Sequence, residues 1–516
     1  MVGLYRLDTS MASIYHLMPY KLSTRVDGIK TVCWNVVETS GEPVIKAFIV
    51  VLLCLSLNAF AADQSVKLPP SVPRIMARYH IPMDSLSLYI KEHNADKPLM
   101  EMNVDVPRNP ASVIKLITTY AGLELLGPNF TWETHFHLDG KLEGDTLNGN
   151  LIIQGGGDPF LVKETFWYLL HTLQSKGLKH INGDLLVDDG LFEEENGSPG
   201  DFDKKPYHVY NALPDAALIN FRAHQFHFLP QDNSVLVYVE PPADNLNIKN
   251  NLHLIEGRCR GRHNLIRMNV IKKYQRVVVE FAGNYPRGCG EQELSRSVLS
   301  NDLYIYGVFK AMWEEMGGTI TGGVGKAPAY DDGHPFHVVP SRPLSDIITY
   351  INKYSNNVMA RQLLLTIGQV TADAEHGTKE MGVRAIRDWL DKNGIPTQGL
   401  VIDNGSGLSR KTQVTARTLG LLLEHAYRSP FQPEFFASLS LAGIDGTMKK
   451  RLNNSIPPGD IRIKTGVIND VRAMAGYVKS KNNNEYFVVS LQNHKGIQYT
   501  VGTIIQDEIL KWLYEQ

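Results

Sequence analysis

The sequence has almost no excess of charge of either sign. Its 52 Lys and Arg residues and 54 Asp and Glu residues give a formal net charge of −2 over 516 residues. Because nucleic-acid binding and polybasic membrane patches need concentrated positive charge, this balance gives no reason to expect either. The sequence also has no internal repeat and no low-complexity tract. Because 516 residues are too many for a single ordinary domain, we predict two or three globular domains. The charge balance leaves a defined small or polymeric substrate as the expected partner.

One apolar run stands out, and it is too short for a membrane-spanning helix. It covers residues 47–62, follows Lys46 and ends in small residues, whereas a spanning helix needs about 18 to 20 apolar residues. This pattern is typical of a secretory signal peptide with cleavage after Ala61 or Ala62. We assign residues 1–62 as a leader with this run as its core; a buried core helix is the alternative.

The residues before this run do not resemble the start of a signal peptide. Residues 1–43 carry acidic and aromatic side chains, which such a start rarely has. Our hypothesis is that translation starts later, near Val44, from an alternative start codon. N-terminal sequencing of the precursor tests this, and a precursor that begins at Met1 would contradict it.

Only four cysteines are present. Removal of the leader would take Cys33 and Cys54 and leave Cys259 and Cys289. In an oxidising compartment these two are a candidate disulfide. Closing a loop of about 30 residues would stabilise the fold by about 3 to 4 kcal/mol. Two free buried thiols are the alternative.

A short helix over residues 109–127 carries a serine and a lysine on one face. Asn109 is a suitable N-cap, and Ser112 and Lys115 stand one turn apart. At this spacing the lysine amine can take the serine proton, provided that burial or a nearby cation keeps the amine neutral. The Ser-x-x-Lys spacing alone is a weak signal, because about one or two are expected by chance in a chain this long.

Two later segments complete a set of three motifs. Ser355 and Asn357 interrupt a helical pattern, where such residues are unfavourable, so we predict a turn that exposes both to a cleft. Lys464, Thr465 and Gly466 lie on a predicted strand. Ser-x-x-Lys, Ser-x-Asn and Lys-Thr-Gly, in this order, are the signatures of penicillin-recognising serine acyltransferases.

The sequence resembles peptidase family S13, the D-alanyl-D-alanine carboxypeptidases/endopeptidases of the penicillin-binding protein 4 type. Class A β-lactamases share the motifs but are compact single domains, whereas the interval 113–354 between the first two motifs must hold extra domains. The resemblance extends over nearly the whole mature chain. It includes the segments 155–159, 183–188, 352–357, 403–410 and 443–447.

The resemblance implies an α/β (α+β) fold. A transpeptidase domain of the serine β-lactamase/DD-peptidase type, an antiparallel sheet flanked by helices, would carry large β-rich insertions between the first and second motifs. We predict that residues 63–132 and 341–516 form this domain. Residues 133–160 and 225–340 would form inserted domain II, and residues 161–224 would form domain III nested within it.

The resemblance also implies the roles of the site residues. Ser112 would attack the peptide carbonyl, Lys115 would act as its base and Ser355 would pass a proton to the leaving amine. The substrate-binding residues would be Asn357 for the peptide amide, Lys464 and Thr465 for the terminal carboxylate, Gly466 and Val467 beside the oxyanion, and Asp188 for the diaminopimelate end. Adjacent Asp189 leaves the register of this acidic residue open. We expect no metal and no cofactor.

The expected function is a serine-type D-Ala-D-Ala carboxypeptidase and DD-endopeptidase of the periplasm. It would act on peptidoglycan stem peptides and cross-links, and β-lactams would acylate Ser112. Homodimer formation and peripheral membrane association stay open. One alternative is a serine β-lactamase, against which the insertion and the absence of a deacylating Glu motif argue. The other is a peptidoglycan-binding scaffold without turnover.

Overall fold

The computed structural model describes residues 68–193, 197–259, 266–327, 334–453 and 455–516. The predicted leader, residues 1–62, lies outside these ranges. Within them, no helix combines the length and apolar character needed to cross a membrane.

Strands and helices alternate along the chain in a mixed fold. The strands are β1 (Leu86–Glu92), β2 (Met100–Met102), β3 (Glu133–Glu143), β4 (Thr146–Gln154), β5 (His180–Ile181), β6 (Leu185–Asp188), β7 (His224–Pro230), β8 (Val235–Glu240), β9 (Leu246–Arg258), β10 (Ile266–Lys273), β11 (Arg276–Gly288), β12 (Gln292–Arg296), β13 (Thr319–Ile320), β14 (Val324–Lys326), β15 (His337–Pro340), β16 (Ser440–Leu441), β17 (Ile461–Ile468), β18 (Val471–Lys479) and β19 (Glu485–Asn493). The α-helices are α1 (Ser71–Arg78), α2 (Lys115–Leu126), α3 (Lys163–Ser175), α4 (Asn301–Glu315), α5 (Leu344–Tyr354), α6 (Asn357–Ala372), α7 (Lys379–Lys392), α8 (Ala416–Arg428), α9 (Gln432–Ala437) and α10 (Thr500–Tyr514).

The two ends of the described chain build one six-stranded sheet. Its order is β16-β17-β18-β19-β1-β2, and every neighbouring pair is antiparallel. Strands β18 and β19 are buried along almost their whole length, because helices cover both faces of the sheet. The predicted antiparallel sheet flanked by helices is confirmed.

Alternate residues of the central strands point into two different cores. Ala473 and Val489 pack with the helices α2 and α5 to α9 on one face. Met474 and Val488, the neighbours of these residues, pack with α1 and α10 on the other face. The period of two along a strand therefore accounts for the three-layer arrangement.

Residues 133–340, which we call the inserted region, are rich in strands, as predicted. They form a sheet with the order β13-β5-β4-β3-β15, to which β6 and β14 are added, and two three-stranded sheets, β10-β11-β9 and β12-β7-β8. The first and last strands of the region, β3 and β15, pair with each other, and Pro340 lies opposite Glu133. The region thus leaves the domain built on the six-stranded sheet and returns to it at adjacent points.

The predicted border between domains II and III, at residues 160 and 161, runs through one sheet and one core. Strands β5 and β6 pair with β4, which lies on the other side of this border. Phe166 and Leu170 of α3 share a core with Leu147 and Ile153. Residues on both sides of this border therefore contribute to one sheet and one core. The predicted domain limits stay a prediction.

Cys259 and Cys289 are joined by a disulfide in the structure, and their Cα atoms are 4.6 Å apart. The strands β9 and β11 run parallel, and Arg258 lies opposite Gly288. Cys259 follows Arg258 and Cys289 follows Gly288, so the two cysteines lie side by side. The parallel register explains why two cysteines far apart in the sequence meet.

Candidate active site

Ser112 lies in a tight 3-10 turn, Ala111–Ile114, and α2 begins only at Lys115. The predicted helix therefore starts later than expected. Asn109 is not the N-cap of either helical segment, because Pro110 precedes the 3-10 turn and Ile114 precedes α2. Its side chain instead accepts a hydrogen bond from the backbone N–H of Ala111 at 2.9 Å, which closes a local turn before Ser112. Ala111 has a φ of 45°, a left-handed conformation that is strained for a residue with a side chain. This turn, rather than a regular helix, presents the Ser112 hydroxyl.

Lys115 is fully buried beneath Ser112. Its Nζ lies 3.0 Å from Ser112 Oγ and 2.7 Å from Asn357 Oδ1, and it also contacts the Ser406 carbonyl. Burial lowers the pKa of Lys115 well below its usual value, and the charge of Lys464 lowers it further. A neutral amine has two N–H donors and one lone pair. The donors suit the Asn357 and Ser406 oxygens, and the lone pair can accept the Ser112 proton.

The predicted break in the second helical segment is present. Helix α5 ends at Tyr354 and α6 begins at Asn357, with Ser355 between them in a left-handed conformation, φ 59°. The Asn356 side chain caps α6 by accepting from the Met359 N–H at 3.1 Å. The turn directs Ser355 toward the sheet, where Lys464 Nζ donates to its Oγ at 2.9 Å.

The third motif lies on β17, next to the Ser112 turn. Lys464 is fully buried, and burial lowers its pKa to about 7. Thr465 donates a hydrogen bond to the Thr447 hydroxyl at 2.8 Å. A side chain at Gly466 would lie 2.5 Å from the Pro110 carbonyl oxygen, so only glycine lets this strand approach the turn so closely. Val467 follows, half exposed.

These residues surround one cavity of about 540 Å³, which we call the Ser112 cavity. Ser112, Ser355, Asn357, Thr465 and Val467 line it, and Lys115 and Lys464 lie beneath it. Sequence reasoning missed the rest of the lining. These residues are Phe202, Asp203, Lys205, Tyr210, Leu408, Arg410, Thr447, Ile468 and Asn469. Leu408, Arg410 and Thr447 lie in segments already noted for the family resemblance. Nothing in the sequence marks the four residues from the segment 202–210.

Part of the inserted region forms one wall of the Ser112 cavity. Asp203 organises this wall, because its carboxylate accepts from the Tyr210 hydroxyl at 2.7 Å and from the Asn211 amide at 2.8 Å. Burial raises the pKa of Asp203, but these hydrogen bonds, together with the backbone N–H and the charge of Lys205, outweigh burial and lower it overall. Arg410 stacks over Phe202, 5.0 Å from the ring centre. The wall thus presents the Asp203 carboxylate and the Lys205 ammonium to the cavity, and Arg410, which lies outside the inserted region, packs against it.

The structure does not bring Asp188 together with the other predicted site residues. Asp188 lies at the end of β6 and lines a separate cavity of about 520 Å³. Only 7% of its surface is exposed, and its two carboxylate oxygens accept from Gln154 Nε2 at 2.9 Å and from the Gly190 N–H at 3.0 Å. Asp203 is an acidic residue of the inserted region that does line the Ser112 cavity.

The geometry defines a serine acyl-transfer enzyme. A buried lysine with a lowered pKa contacts the serine, and a second serine–lysine pair faces it across the cavity. Within the described ranges, no group of three or more His, Cys, Asp or Glu side chains is placed to hold a metal ion.

Comparison with known proteins identifies the family. Residues 70–516 match the model of the D-Ala-D-Ala carboxypeptidase 3 (S13) family, and the chain belongs to this family. It is 28% identical over 404 residues to the D-alanyl-D-alanine carboxypeptidase of Actinomadura sp. (strain R39), covering 75% of this chain and 74% of that protein. The chain is accordingly a serine-type D-alanyl-D-alanine carboxypeptidase, as the sequence predicted.

Two further similarities come from Haemophilus influenzae. The D-alanyl-D-alanine carboxypeptidase DacB is 25% identical over 413 residues, covering 78% of this chain and 84% of the relative. The crystal structure of penicillin binding protein 4 (dacB) superposes with a TM-score of 0.71 and 23% identity, covering 86% of this chain and 99% of the other. This second similarity shows the shared fold.

Proposed function

We propose that this carboxypeptidase works through an acyl-enzyme on Ser112 and acts on peptidoglycan stem peptides and their cross-links. The observation that carries the proposal is the 3.0 Å contact between Ser112 Oγ and the buried Lys115 Nζ. The amine takes the hydroxyl proton, and the oxygen attacks the carbonyl carbon between two D-alanines. The backbone N–H groups of Ser112 and Val467 stabilise the oxyanion.

The leaving amine needs a proton as the C–N bond breaks. Ser355 donates it from its hydroxyl and is reprotonated by the proton that Lys115 took from Ser112, while Lys464, whose Nζ is 2.9 Å from Ser355 Oγ, keeps its charge. Water then attacks the ester carbonyl and gives a proton to the neutral Lys115, which returns it to Ser112 Oγ as the carboxylic acid leaves. If the amine is free D-alanine, the reaction is carboxypeptidation. If it belongs to a second peptide, the same step cuts a cross-link.

Three groups hold the substrate in this scheme. Lys464 and Thr465 bind the terminal carboxylate. Asn357 gives one amide N–H to the Tyr210 carbonyl at 3.2 Å and keeps its second N–H for the peptide carbonyl. Asp203 takes the role first assigned to Asp188, because its carboxylate lines the Ser112 cavity and suits a diaminopimelate ammonium.

We further propose that β-lactams acylate Ser112 and that the mature enzyme is exported to the periplasm. A structure of the Haemophilus influenzae penicillin binding protein 4 in complex with a β-lactam supports the first point for a protein of the same fold. The short apolar run at residues 47–62 and the Cys259–Cys289 disulfide support the second, because disulfides persist in oxidising compartments.

A fluorescent penicillin tests this function directly. Purified enzyme should carry lasting label on Ser112, and digestion of wall peptides should release D-alanine and resolve cross-links, as read by mass spectrometry. Ser112→Ala should abolish labelling and cleavage while the protein stays folded. Rapid drug turnover would instead indicate a β-lactamase, and absence of label a binding scaffold. D-alanine release by Ser112→Ala would refute the assignment.

A further inference from the structure

Helix α6 joins the second catalytic motif to the inserted region. Its residues 357, 358, 362 and 365 lie on one helical face, and each touches the inserted region. Asn357 donates to the Tyr210 carbonyl. Val358 packs with Ala212 and Leu218, and Leu365 packs with Phe192 and Ala216. Helix α6, which begins with the site residue Asn357, is thus also the helix against which the inserted region packs.

Gln362 adds further buried polar contacts to this interface. It has no exposed surface, and its Nε2 lies 3.2 Å from the Gly157 carbonyl, 3.4 Å from that of Asp158 and 3.2 Å from that of Asp215. Two N–H groups therefore serve three acceptors, all in the inserted region. Buried carbonyls without a donor are costly, so this one amide fixes two loops of the insertion against α6.

One of these loops leads directly to the catalytic centre. The segment from Tyr210 to Asp215 is held at both ends, by Asn357 and by Gln362. The Tyr210 carbonyl can accept only from the nitrogen end of the Asn357 amide, which leaves the oxygen end facing Lys115 at 2.7 Å. The orientation of Asn357 therefore depends on where the segment is held.

We propose that Gln362 is a positioning residue of the acylation step. By anchoring the segment at Asp215, it keeps the Tyr210 carbonyl against Asn357 and thereby keeps the Asn357 oxygen on Lys115. Gln362 touches no substrate and acts only through Asn357. The inference rests on the proposed chemistry of Ser112 and Lys115, and it makes the inserted region part of the catalytic apparatus.

The variant Gln362→Met tests this, because methionine has a similar length but no donor. We expect the acylation rate at saturating fluorescent penicillin to fall about tenfold, since small misplacements of catalytic groups have large effects on rate. The half-saturating concentration should change by less than about twofold, because Gln362 does not bind the drug. Ile367→Val, a fully buried change on the same helix facing the catalytic core, is the matched control and should acylate normally.

A double-mutant cycle separates positioning from general damage. If Gln362 acts through Asn357, adding Gln362→Met to Asn357→Ala should cause no further loss of acylation rate. Multiplied losses would overturn the inference. Should Gln362→Met not fold, Gln362→Asn keeps the amide with a shorter reach, and a wild-type rate in that variant would also overturn it.

The outcomes keep the two proposals apart. Wild-type protein that takes no label would refute the proposed function itself. Labelled wild type together with a folded Gln362→Met variant that acylates at the wild-type rate would refute only the role of Gln362.

Discussion

Lys464 is a buried amine whose charge affects both substrate binding and the state of Lys115. In the proposed mechanism its positive charge attracts the terminal carboxylate of the peptide, and it also lowers the pKa of Lys115. Burial lowers the pKa of Lys464 to about 7 in the absence of substrate. Near neutral pH, the free enzyme therefore exists in two charge states that differ at this residue.

This titration predicts an alkaline limb in the pH profile. As the pH rises through about 7, Lys464 loses its proton in the free enzyme, and kcat/KM for peptides with a free carboxylate should fall. At lower pH, protonation of Lys115 should reduce the rate for every substrate. Steady-state kinetics on a peptide acid and its C-terminal amide measure this, because the amide lacks the group that Lys464 attracts. Equal alkaline limbs for both would contradict the prediction.

Single residues also show which parts of the site could be predicted from the sequence. Ser112, Lys115 and the two later motifs were found because each is a short pattern with a defined chemical purpose. The role of Asp188 stays a prediction, and its choice depended on counting along a strand end rather than on a pattern. Asp188 lines a cavity other than the Ser112 cavity, and only the fold shows this.

At the scale of elements, the sequence predicted that a serine helix and a helix break exist but not their local form. Ala111 adopts a left-handed conformation in a turn against which Gly466 of β17 packs from the far end of the chain. No local propensity contains that information. The wall from Phe202 to Tyr210 was missed for the same reason, since tertiary contacts alone bring it to the cavity.

The disulfide between the ends of β9 and β11 should stabilise the inserted region without affecting chemistry. It closes a separation of 30 residues, so the double variant Cys259→Ser/Cys289→Ser should lose about 3 kcal/mol of unfolding free energy. Denaturant titration measures this loss, and penicillin acylation should stay at the wild-type rate because neither cysteine lines the Ser112 cavity. Reduced wild-type protein is the control and should behave like the variant. Unchanged stability, or slower acylation, would contradict this prediction.

At the scale of the whole molecule, adjacent attachment points explain how the catalytic sheet tolerates so large an insertion. The Ser341 N–H donates to the Trp132 carbonyl at 2.8 Å, directly beside the β3–β15 pair. The six-stranded sheet can therefore close as if the insertion were a short loop. The inserted region also packs against α6 and forms one wall of the Ser112 cavity. In the proposed function, the catalytic residues come from the domain built on the six-stranded sheet, and the peptide-recognising residues come from this domain and from the inserted region.

This division predicts that substitutions in the wall affect reactions with wall peptides more than acylation by penicillin. Asp203→Asn removes the carboxylate, and we expect KM for diaminopimelate-containing peptides to rise about tenfold or more, as for the loss of a charged hydrogen bond. Acylation by penicillin should stay within about twofold, because the drug lacks the ammonium group. Tyr210→Phe is the matched control, since it removes one hydrogen bond to Asp203 but keeps the charge, and it should affect KM less. An equal loss on both substrates would show that Asp203 only supports the wall.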